Sequence, residues 1–408
     1  MTRASEKVAV PRLRFKGREG AWTRQPIGEL FSERDERSAE GELLSVTIRH
    51  GVVRACDSGK ADSSSADKSH YKVVKIRDLA YNSMRMWQGA CGASKFDGIV
   101  SPAYTVIVPN AESDSEFFEY TFKRPEVLRQ FQRNSQGMTS DTWNLKFPLL
   151  KDICISCPGR NTQVRIATAF RDFDKLILME ASHLTSLRQL KRAMLVKMFP
   201  RPGQCVPEIR FKGFEGKWEE LRVRDVAERV TRKNLNQESD LPLTISAEHG
   251  LIDQREVFNS RIAAKDVSNY YLVVNGEFAY NRSTSDGAPF GAVKRLDRYA
   301  QGVLSTLYMV FALKTESVDS DYLVQYYTTD LWHRDIALRA AEGARNHGLL
   351  NISVEDFFDT RIIAPPSLPE QRKIAAFFRN FDRLIGAAEK KVAKLRQVKA
   401  SLLERMFV

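Results

Sequence analysis

The sequence contains one domain-sized unit in two copies. Residues 11–17, PRLRFKG, return as residues 207–213, PEIRFKG, and Met198-Phe199 returns as Met406-Phe407. A repeat of about 200 residues is a domain rather than one turn of a solenoid. The ends of the two copies match well, whereas their middles share only scattered positions. This pattern predicts a common frame that carries two different surfaces.

Within each copy, several short segments are typical of strands. They are rich in Val, Ile and Tyr and are bounded by Gly, Ser, Asn and Asp, which favours strands joined by turns. The predicted strands are residues 43–48, 71–76 and 99–108 in the first copy and 243–245, 271–274 and 303–313 in the second. Helices are predicted over residues 116–134 and 321–342. Each copy is therefore predicted to be a domain of mixed strands and helices.

Each copy closes with a segment that predicts one long helix. In the second copy, Ser367 and Glu370 have the spacing of a capping box, and no proline follows Pro369. Apolar residues then recur every three or four positions and form one stripe. The first copy repeats the stripe, although residues 161–163 lack the Pro and Glu of that start. At 1.5 Å per residue, each helix is roughly 55 Å long.

Two long helices with one apolar stripe each favour an antiparallel pair. The alternative is that each helix packs on its own domain. The residues predicted at the helix-pair interface are Phe173, Leu176, Leu187, Leu195, Phe381, Leu384, Leu395 and Leu402.

The sequence thus predicts an α+β fold with an internal pseudo-twofold repeat. Two similar mixed α/β domains are expected to be separated by two long antiparallel helices, as in a coiled-coil pair. The predicted segments are residues 1–160 for the first domain, 161–202 for the central helix, 203–366 for the second domain and 367–408 for the C-terminal helix.

The charge balance indicates a polyanionic partner. The formal net charge is +12, which favours nucleic acid over an uncharged partner, although a basic soluble protein without that role is the alternative. The five cysteines are too sparse and too odd in number for a disulfide framework, which fits a reducing compartment. No segment is long and apolar enough for a signal peptide or a membrane span. We therefore expect a cytoplasmic protein without a membrane partner.

Catalytic and metal motifs are incomplete. Cys154 and Cys157 form a CxxC pair, but no second pair completes four zinc ligands, and their counterparts are Arg361 and Ala364. The six histidines form no HExxH spacing, and neither a Walker lysine loop nor a GxGxxG fingerprint is present. The Asn/Asp-Pro-Pro-aromatic segment of adenine methyltransferases is also missing. These patterns predict no catalytic residue, no metal site and no cofactor in this chain.

Several segments together resemble the specificity subunit of type I restriction–modification systems. They are residues 207–218, PEIRFKGFEGKW; residues 280–283, YNRS, with 289–296, PFGAVKRL; and residues 365–375, PPSLPEQRKIA, followed by FD at 381–382 and a Leu/Lys-rich helix. The resemblance covers nearly the whole chain, in the order domain, helix, domain, helix.

The resemblance implies a non-catalytic, sequence-specific DNA-binding subunit. Each target-recognition domain would bind one half of an asymmetric, bipartite site in double-stranded DNA, and the helix pair would set the gap. Two modification (adenine methyltransferase) subunits would dock on the helices, and restriction (helicase-nuclease) subunits would join them. S-adenosylmethionine, ATP and Mg²⁺ would belong to those partners. The alternative function is a helical scaffold protein with nonspecific nucleic-acid binding.

Candidate DNA contacts lie in Gly-rich loops in the middle of each copy, where cations and amides could reach phosphates and base edges. Each candidate is explained equally well as an ordinary surface or turn residue. Tyr81-Asn82 and Tyr280-Asn281 are shared by the copies, which favours a structural role. The candidates are Asn82, Arg85, Trp87, Gln88, Ser94, Lys95, Arg133 and Ser135 in the first copy, and Arg282, Ser283, Thr284, Ser285, Lys294, Arg295, Arg298, Arg345, Asn346 and His347 in the second.

Overall fold

The computed structural model describes residues 10–17, 20–59, 64–246, 250–258, 266–284, 287–340 and 350–408. The chain divides into two compact units. Unit 1 consists of residues 1–181 with 390–408, and unit 2 consists of residues 182–389. Both long helices therefore contribute residues to both units. The division into residues 1–160, 161–202, 203–366 and 367–408 stays a prediction.

Unit 1 is a mixed α/β body with short antiparallel strands. Its largest sheet has the strand order β2-β9-β6-β7, and β1 pairs with β10, β3 with β4 and β5 with β8. Its strands are β1 Thr23–Pro26, β2 Phe31–Glu33, β3 Leu44–Thr47, β4 Gly51–Arg54, β5 Lys72–Val74, β6 Leu79–Asn82, β7 Cys91–Ala93, β8 Gly98–Val100, β9 Tyr104–Pro109 and β10 Cys154–Cys157. Its helices are α1 Ile27–Leu30, α2 Ser115–Phe122, α3 Pro125–Asn134, α4 Phe147–Leu150 and the first part of α5 Arg160–Met198.

Unit 2 repeats this topology strand for strand. Its four-stranded sheet has the order β12-β19-β16-β17, and β11 pairs with β20, β13 with β14 and β15 with β18. Its strands are β11 Glu219–Arg222, β12 Ala227–Arg229, β13 Leu243–Ser246, β14 Gly250–Asp253, β15 Tyr271–Val274, β16 Phe278–Asn281, β17 Ala292–Arg295, β18 Gln301–Leu304, β19 Met309–Leu313 and β20 Arg361–Ala364. Its helices are α6 Val223–Val226, α7 Gln254–Phe258, α8 Ser320–Tyr326, α9 His333–Arg339, α10 Val354–Phe358 and the first part of α11 Leu368–Met406. The predicted pair of similar mixed domains is confirmed.

The predicted helices over 116–134 and 321–342 are each two helices. In unit 1, Pro125 occupies the first turn of α3, because a proline fits a helix start but not a helix interior. In unit 2, the segment between α8 and α9 turns through Thr328 and Thr329, whose hydroxyls bond the backbone at Gln325 and Tyr326. The predicted single strand over 99–108 is likewise split into β8 and β9.

The phenylalanine that directly follows each long helix fills the core of a unit. In unit 2, Phe199 lies 5.9 Å from Trp218, 5.7 Å from Tyr322 and 6.1 Å from Phe378, measured between ring centroids. In unit 1, Phe407 makes the corresponding contacts. Its ring lies 5.8 Å from Trp22, 5.3 Å from Phe117 and 5.8 Å from Phe170. The first copy's helix thus completes the core of unit 2, and the second copy's helix completes the core of unit 1.

A buried glutamine anchors the start of each long helix. Gln371 accepts a hydrogen bond from the Asp319 backbone amide at 2.7 Å and donates to the carbonyls of Ser317 and Pro365 at 3.0 and 2.8 Å. Asp319 is the N-cap of α8, so the glutamine fixes one helix end against another. Gln163 makes the same three bonds in unit 1, to the Asp114 amide and to the carbonyls of Glu112 and Pro158.

The Glu370 carboxylate does not close the predicted capping box. Both of its oxygens accept hydrogen bonds from Arg210, at 2.7 and 2.8 Å. Arg210 lies within the repeated segment 207–213, so this buried ion pair ties the start of α11 to the beginning of the second domain. The backbone carbonyl of Ser367 accepts from the amides of Glu370 and Gln371 and begins the helix.

The two long helices pack antiparallel within each unit. In unit 1, α5 is joined to α11 by ion pairs of Asp174 with Lys399 and of Glu180 with Lys391. In unit 2, Lys191 pairs with Asp382, and Arg188 pairs with Glu389. Partners advance along α5 as they retreat along α11, which confirms the antiparallel pairing. The Lys191–Asp382 and Lys399–Asp174 pairs occupy equivalent positions of the two copies.

Seven of the eight residues predicted at the helix-pair interface are half-buried, and they are Phe173, Leu176, Leu187, Leu195, Phe381, Leu395 and Leu402. Leu384 is 50% exposed, whereas Ala388 and Val392 of the same stripe are buried. The stripe is therefore centred closer to these two residues than to Leu384.

We expect Gln371→Leu to destabilise unit 2 by about 2–3 kcal/mol, because it removes three hydrogen bonds of a buried side chain and leaves the buried Pro365 carbonyl without this partner. Hydrogen exchange of the α8 amides measures this local loss directly. Gln397→Leu is the matched control, because Gln397 is exposed on the same helix. Equal protection of α8 in the two variants would contradict the anchoring role.

Candidate nucleic-acid interface

In unit 1, the loop between β6 and β7 forms one end of a hairpin. Tyr81 pairs with Cys91 across the hairpin, and residues 83–90 connect the two strands. The Asn82 side chain accepts a hydrogen bond from the Met84 amide at 3.0 Å, which fixes the start of the loop. Trp87 donates from Nε1 to the Met84 carbonyl at 3.2 Å and closes the loop on itself.

A second segment, residues 136–144, packs beside this loop. Gln136 and Asn144 exchange two backbone hydrogen bonds, at 3.0 and 2.8 Å, and so form a small hairpin. Trp143 meets Trp87 edge-to-face with ring centroids 5.1 Å apart. The Leu145 amide donates to the Ser83 carbonyl at 2.8 Å. We call residues 82–90 together with 133–144 the loop surface of unit 1.

This loop surface contains six of the eight candidates of the first copy. Arg85 and Arg133 are the cations among them, and within the described residues neither guanidinium has a hydrogen bond or an ion pair. Gln88 is half-buried, and Ser135 donates to the Phe131 carbonyl at 2.7 Å, which is a helix-end role. Basic side chains without protein partners are available to contact DNA phosphates.

Unit 2 builds the equivalent surface differently. Asn281 accepts from the Ser283 amide at 3.0 Å, as Asn82 does in unit 1, which supports the structural role of the shared Tyr-Asn pairs. The Leu350 amide donates to the Arg282 carbonyl at 3.0 Å, the counterpart of the bond between Leu145 and Ser83. The loop that begins here ends at Gly291, where φ is +79° and a Cβ would lie 2.0 Å from the Asn281 carbonyl.

The candidates of the second copy on this surface are only partly described. Arg282 donates to the carbonyls of Ile352 and Leu307, at 3.2 and 3.3 Å, so its guanidinium holds the loop. Ser283 is exposed, and Thr284 is half-buried. Ser285, Arg345, Asn346 and His347 lie outside the described residues.

The remaining candidates lie at the other end of the same hairpins. Leu79 pairs with Ala93, so Ser94 and Lys95 follow β7 at the end away from residues 83–90. Ser94 is buried and donates to the Phe96 carbonyl at 2.6 Å, as a turn residue does. Lys95 is exposed there. Neighbours in sequence are therefore placed at opposite ends of a three-residue strand.

Unit 2 shows the same separation for Lys294, Arg295 and Arg298. Arg295 bonds Asp297, Ser320 and Asp321; although burial lowers its pKa, these hydrogen-bonded carboxylates raise it overall. Arg298 pairs with Glu256 at 2.8 Å. Burial lowers the pKa of Lys294, whose amine also faces Lys191 and Asp382 of the long helices. Arg295 and Arg298 therefore have carboxylate partners within the protein, and Lys294 is partly buried.

The family comparison agrees with this architecture. Residues 215–397 match the family model described as the type I restriction modification DNA specificity domain. The match lies within the second copy and its long helix, and the chain is similar there to the type I specificity family. The resemblance predicted from the sequence is confirmed.

Two solved structures share the fold over nearly the full length of the chain. One is the S subunit of a type I restriction–modification system from M. genitalium, at 14% identity and a TM-score of 0.57, with 98% of this chain and 99% of that chain covered. Another, described as the structural basis of complex assembly and conformational transition of the type I R-M system, has 15% identity and a TM-score of 0.51, with 94% and 96% covered. No curated protein matches the sequence significantly.

Each unit also has a groove beside the helix pair. In unit 2, a cavity of about 950 Å³ lies between α5, α11 and the loop 328–331, and Leu195 and Ile385 line it. In unit 1, a cavity of about 980 Å³ lies between the same two helices and the loop 123–126, and Leu178 and Leu403 line it. Both grooves also contain the repeated Lys–Asp pair.

Other site chemistry is not apparent in the part of the chain that the structure describes. Among those residues no group of three His, Cys, Asp or Glu side chains could hold a metal ion. Cys157 accepts a hydrogen bond from Gln25 and is buried, and its pKa is raised by that burial. Within the same residues no helix is both long and apolar enough to cross a membrane.

Sequence reasoning missed Trp143 as a member of the loop surface. Trp143 lies beyond the candidates Arg133 and Ser135, and its contact with Trp87 joins residues far apart in the chain. The sequence offered one signal, which was a tryptophan in a polar, Gly-containing segment. Such a large aromatic side chain usually packs against another residue of the fold.

Proposed function

We propose that this chain is the sequence-reading subunit of a type I restriction–modification complex and that each unit binds one half of a bipartite, asymmetric DNA site. The observation that carries the proposal is the repeated hairpin with its two different loop surfaces. A duplicated frame with identical surfaces would read a symmetric site, whereas different loops present different donors and acceptors to base edges. The alternative scaffold function gives no reason for two loop surfaces to diverge on a retained frame.

The retained frame supports this division of roles. Equivalent contacts of Phe199 and Phe407, of Gln163 and Gln371, and of the two Lys–Asp pairs hold both units in one architecture. The loop surfaces lie away from these contacts along the chain. Changes in the loops can therefore alter the recognised bases without loss of the fold, which is what a family of subunits with many specificities requires.

We further propose that the modification subunits dock along the helix pair and that restriction subunits join the assembly. The two grooves beside the helices are lined by both apolar and charged side chains, which is a composition that protein interfaces share. Two equivalent grooves in one chain fit two copies of one partner. In this proposal S-adenosylmethionine, ATP and Mg²⁺ act in the partner subunits.

Footprinting of the full-length chain on DNA selected from a random library tests the function. We expect two short protected blocks separated by unprotected base pairs. Variation of salt adds a second measurement, because specific binding retains sequence preference as the electrostatic contribution falls. A single continuous block, or protection that spreads without sequence preference and disappears with salt, would support the scaffold alternative.

A further inference from the structure

One apolar side chain on the loop surface of unit 1 has no structural role. Met138 is 99% exposed, whereas the next most exposed large apolar side chain of the described residues, Leu178, is 71% exposed. The side chain contributes nothing to a core. Single exposed apolar residues are common on protein surfaces, so the meaning of this one depends on the residues around it.

The hairpin 136–144 holds Met138 outward. The Thr139 amide donates to the Thr142 hydroxyl at 3.1 Å, and the Thr142 amide donates back to the Thr139 carbonyl at 2.9 Å. Gly137 has φ of +136°, and a Cβ at this position would lie 2.6 Å from the Thr142 carbonyl, so a glycine is required before Met138. The tip is therefore a defined turn rather than a loose end.

Aromatic packing joins this tip to the cations of the same surface. The contact of Trp143 with Trp87 links the hairpin to residues 83–90, which include Arg85. Arg133 lies in the last turn of α3, just before the hairpin. The loop surface thus carries one exposed apolar side chain together with two guanidiniums without protein partners. This composition matches that of DNA, in which thymine methyl groups lie in the major groove between charged phosphate rows. Met138 is flexible and polarizable, so it adapts to such a methyl group without an exact fit.

We propose that Met138 determines specificity in the half-site of unit 1 by contact with the 5-methyl group of a thymine. This inference rests on the proposed function, because it assigns one base contact within it. Arg85 and Arg133 would then supply phosphate contacts that position the tip, and these contacts do not discriminate between sequences.

Replacement of thymine by deoxyuridine tests the contact, since the two bases differ only by that methyl group. The probes are duplexes with the sequence that the full-length chain selects from a random library, in which each thymine of the unit 1 half-site is replaced in turn. We expect one replacement to weaken binding by the wild type about fourfold, the value of roughly one buried methyl or methylene group. Met138→Ala should bind the thymine duplex about fourfold more weakly and should not distinguish it from the deoxyuridine duplex at that position.

Met179→Ala is the matched control, because Met179 is exposed on α5 of the same unit and lies outside the loop surface. It should bind all duplexes as the wild type does. A half-site without a methyl-sensitive thymine overturns the inference, and so does an equal loss for Met138→Ala on every duplex. If the chain selects no sequence at all, the proposed function itself fails, so the two failures are distinguishable.

Discussion

Replacement of residues 210–360 by the matching segment of another specificity subunit is expected to change one half of the methylated site completely and to leave the other half unchanged. The segment lies within unit 2 and includes the loop from Asn281 to Gly291, the counterpart of the loop 83–90 of unit 1. Sequencing of methylated DNA from cells with the assembled complex measures both halves in one experiment. This is the largest functional change that the architecture predicts for a single exchange.

The exchange succeeds only if the new segment restores the contacts that cross its boundaries. Glu370 remains in the chain and needs an arginine at position 210, and Gln371 needs the backbone amide of a capped helix at position 319. Phe199 also remains, and it needs the rings of Trp218 and Tyr322. A buried carboxylate without its partner costs several kcal/mol, so a segment that lacks Arg210 should fail by misfolding rather than by altered recognition.

A matched control separates these outcomes. The same foreign segment with Arg210 replaced by methionine should lose both the new and the old methylation at unit 2 through loss of folding. The complete segment should retain normal hydrogen-exchange protection of α11. A change in both halves of the site, or in neither, would contradict the assignment of one half-site to each unit.

The sequence predicted the repeated frame because its signals are local and occur twice. The segments 11–17 and 207–213, the two Met-Phe pairs and the two apolar stripes all have short, recognisable patterns. The stripe predicted two long helices, and the structure confirms that they pair. Each measures 39 residues and begins within a few residues of its predicted start.

The candidate DNA contacts were harder to predict, because short strands separate sequence neighbours. Only three residues of β7 lie between the loop 83–90 and Ser94, yet antiparallel pairing places them at opposite ends of the hairpin. Composition also gave no means of telling a free arginine from a paired one. Arg295 and Arg298 have carboxylate partners, whereas Arg85 and Arg133 have none among the described residues. Such pairs form between segments distant in the chain, so they require the fold.

The sequence also did not predict that the end of each copy's helix packs in the core of the other copy's domain. The repeat shows that Phe199 and Phe407 are equivalent, but not that each completes a core made mainly by the other copy. Tertiary contact alone decides this. The consequence is that neither copy has a complete core without the end of the other copy's helix, which turns a tandem repeat into one interdependent chain.

We therefore expect Phe199→Ala to destabilise unit 2 by about 3–5 kcal/mol, the usual cost of a phenylalanine truncated in a core. Phe199 is 2% exposed and contacts four aromatic rings of unit 2, although it directly follows the long helix of the first copy. Hydrogen exchange should increase around Trp218 and Tyr322. Val196→Ala is the matched control, because Val196 lies one turn earlier on the same helix and is 61% exposed.

Phe407→Ala should produce the same loss in unit 1, around Trp22 and Phe117. Because Phe199 and Phe407 share no partner ring, the two effects should add in the double variant. An increase in exchange within the first copy's own domain after Phe199→Ala, with unit 2 unchanged, would show that each helix end serves its own copy. The crossed arrangement predicts the opposite, since a defect at the end of either copy's helix must appear in the other copy's domain.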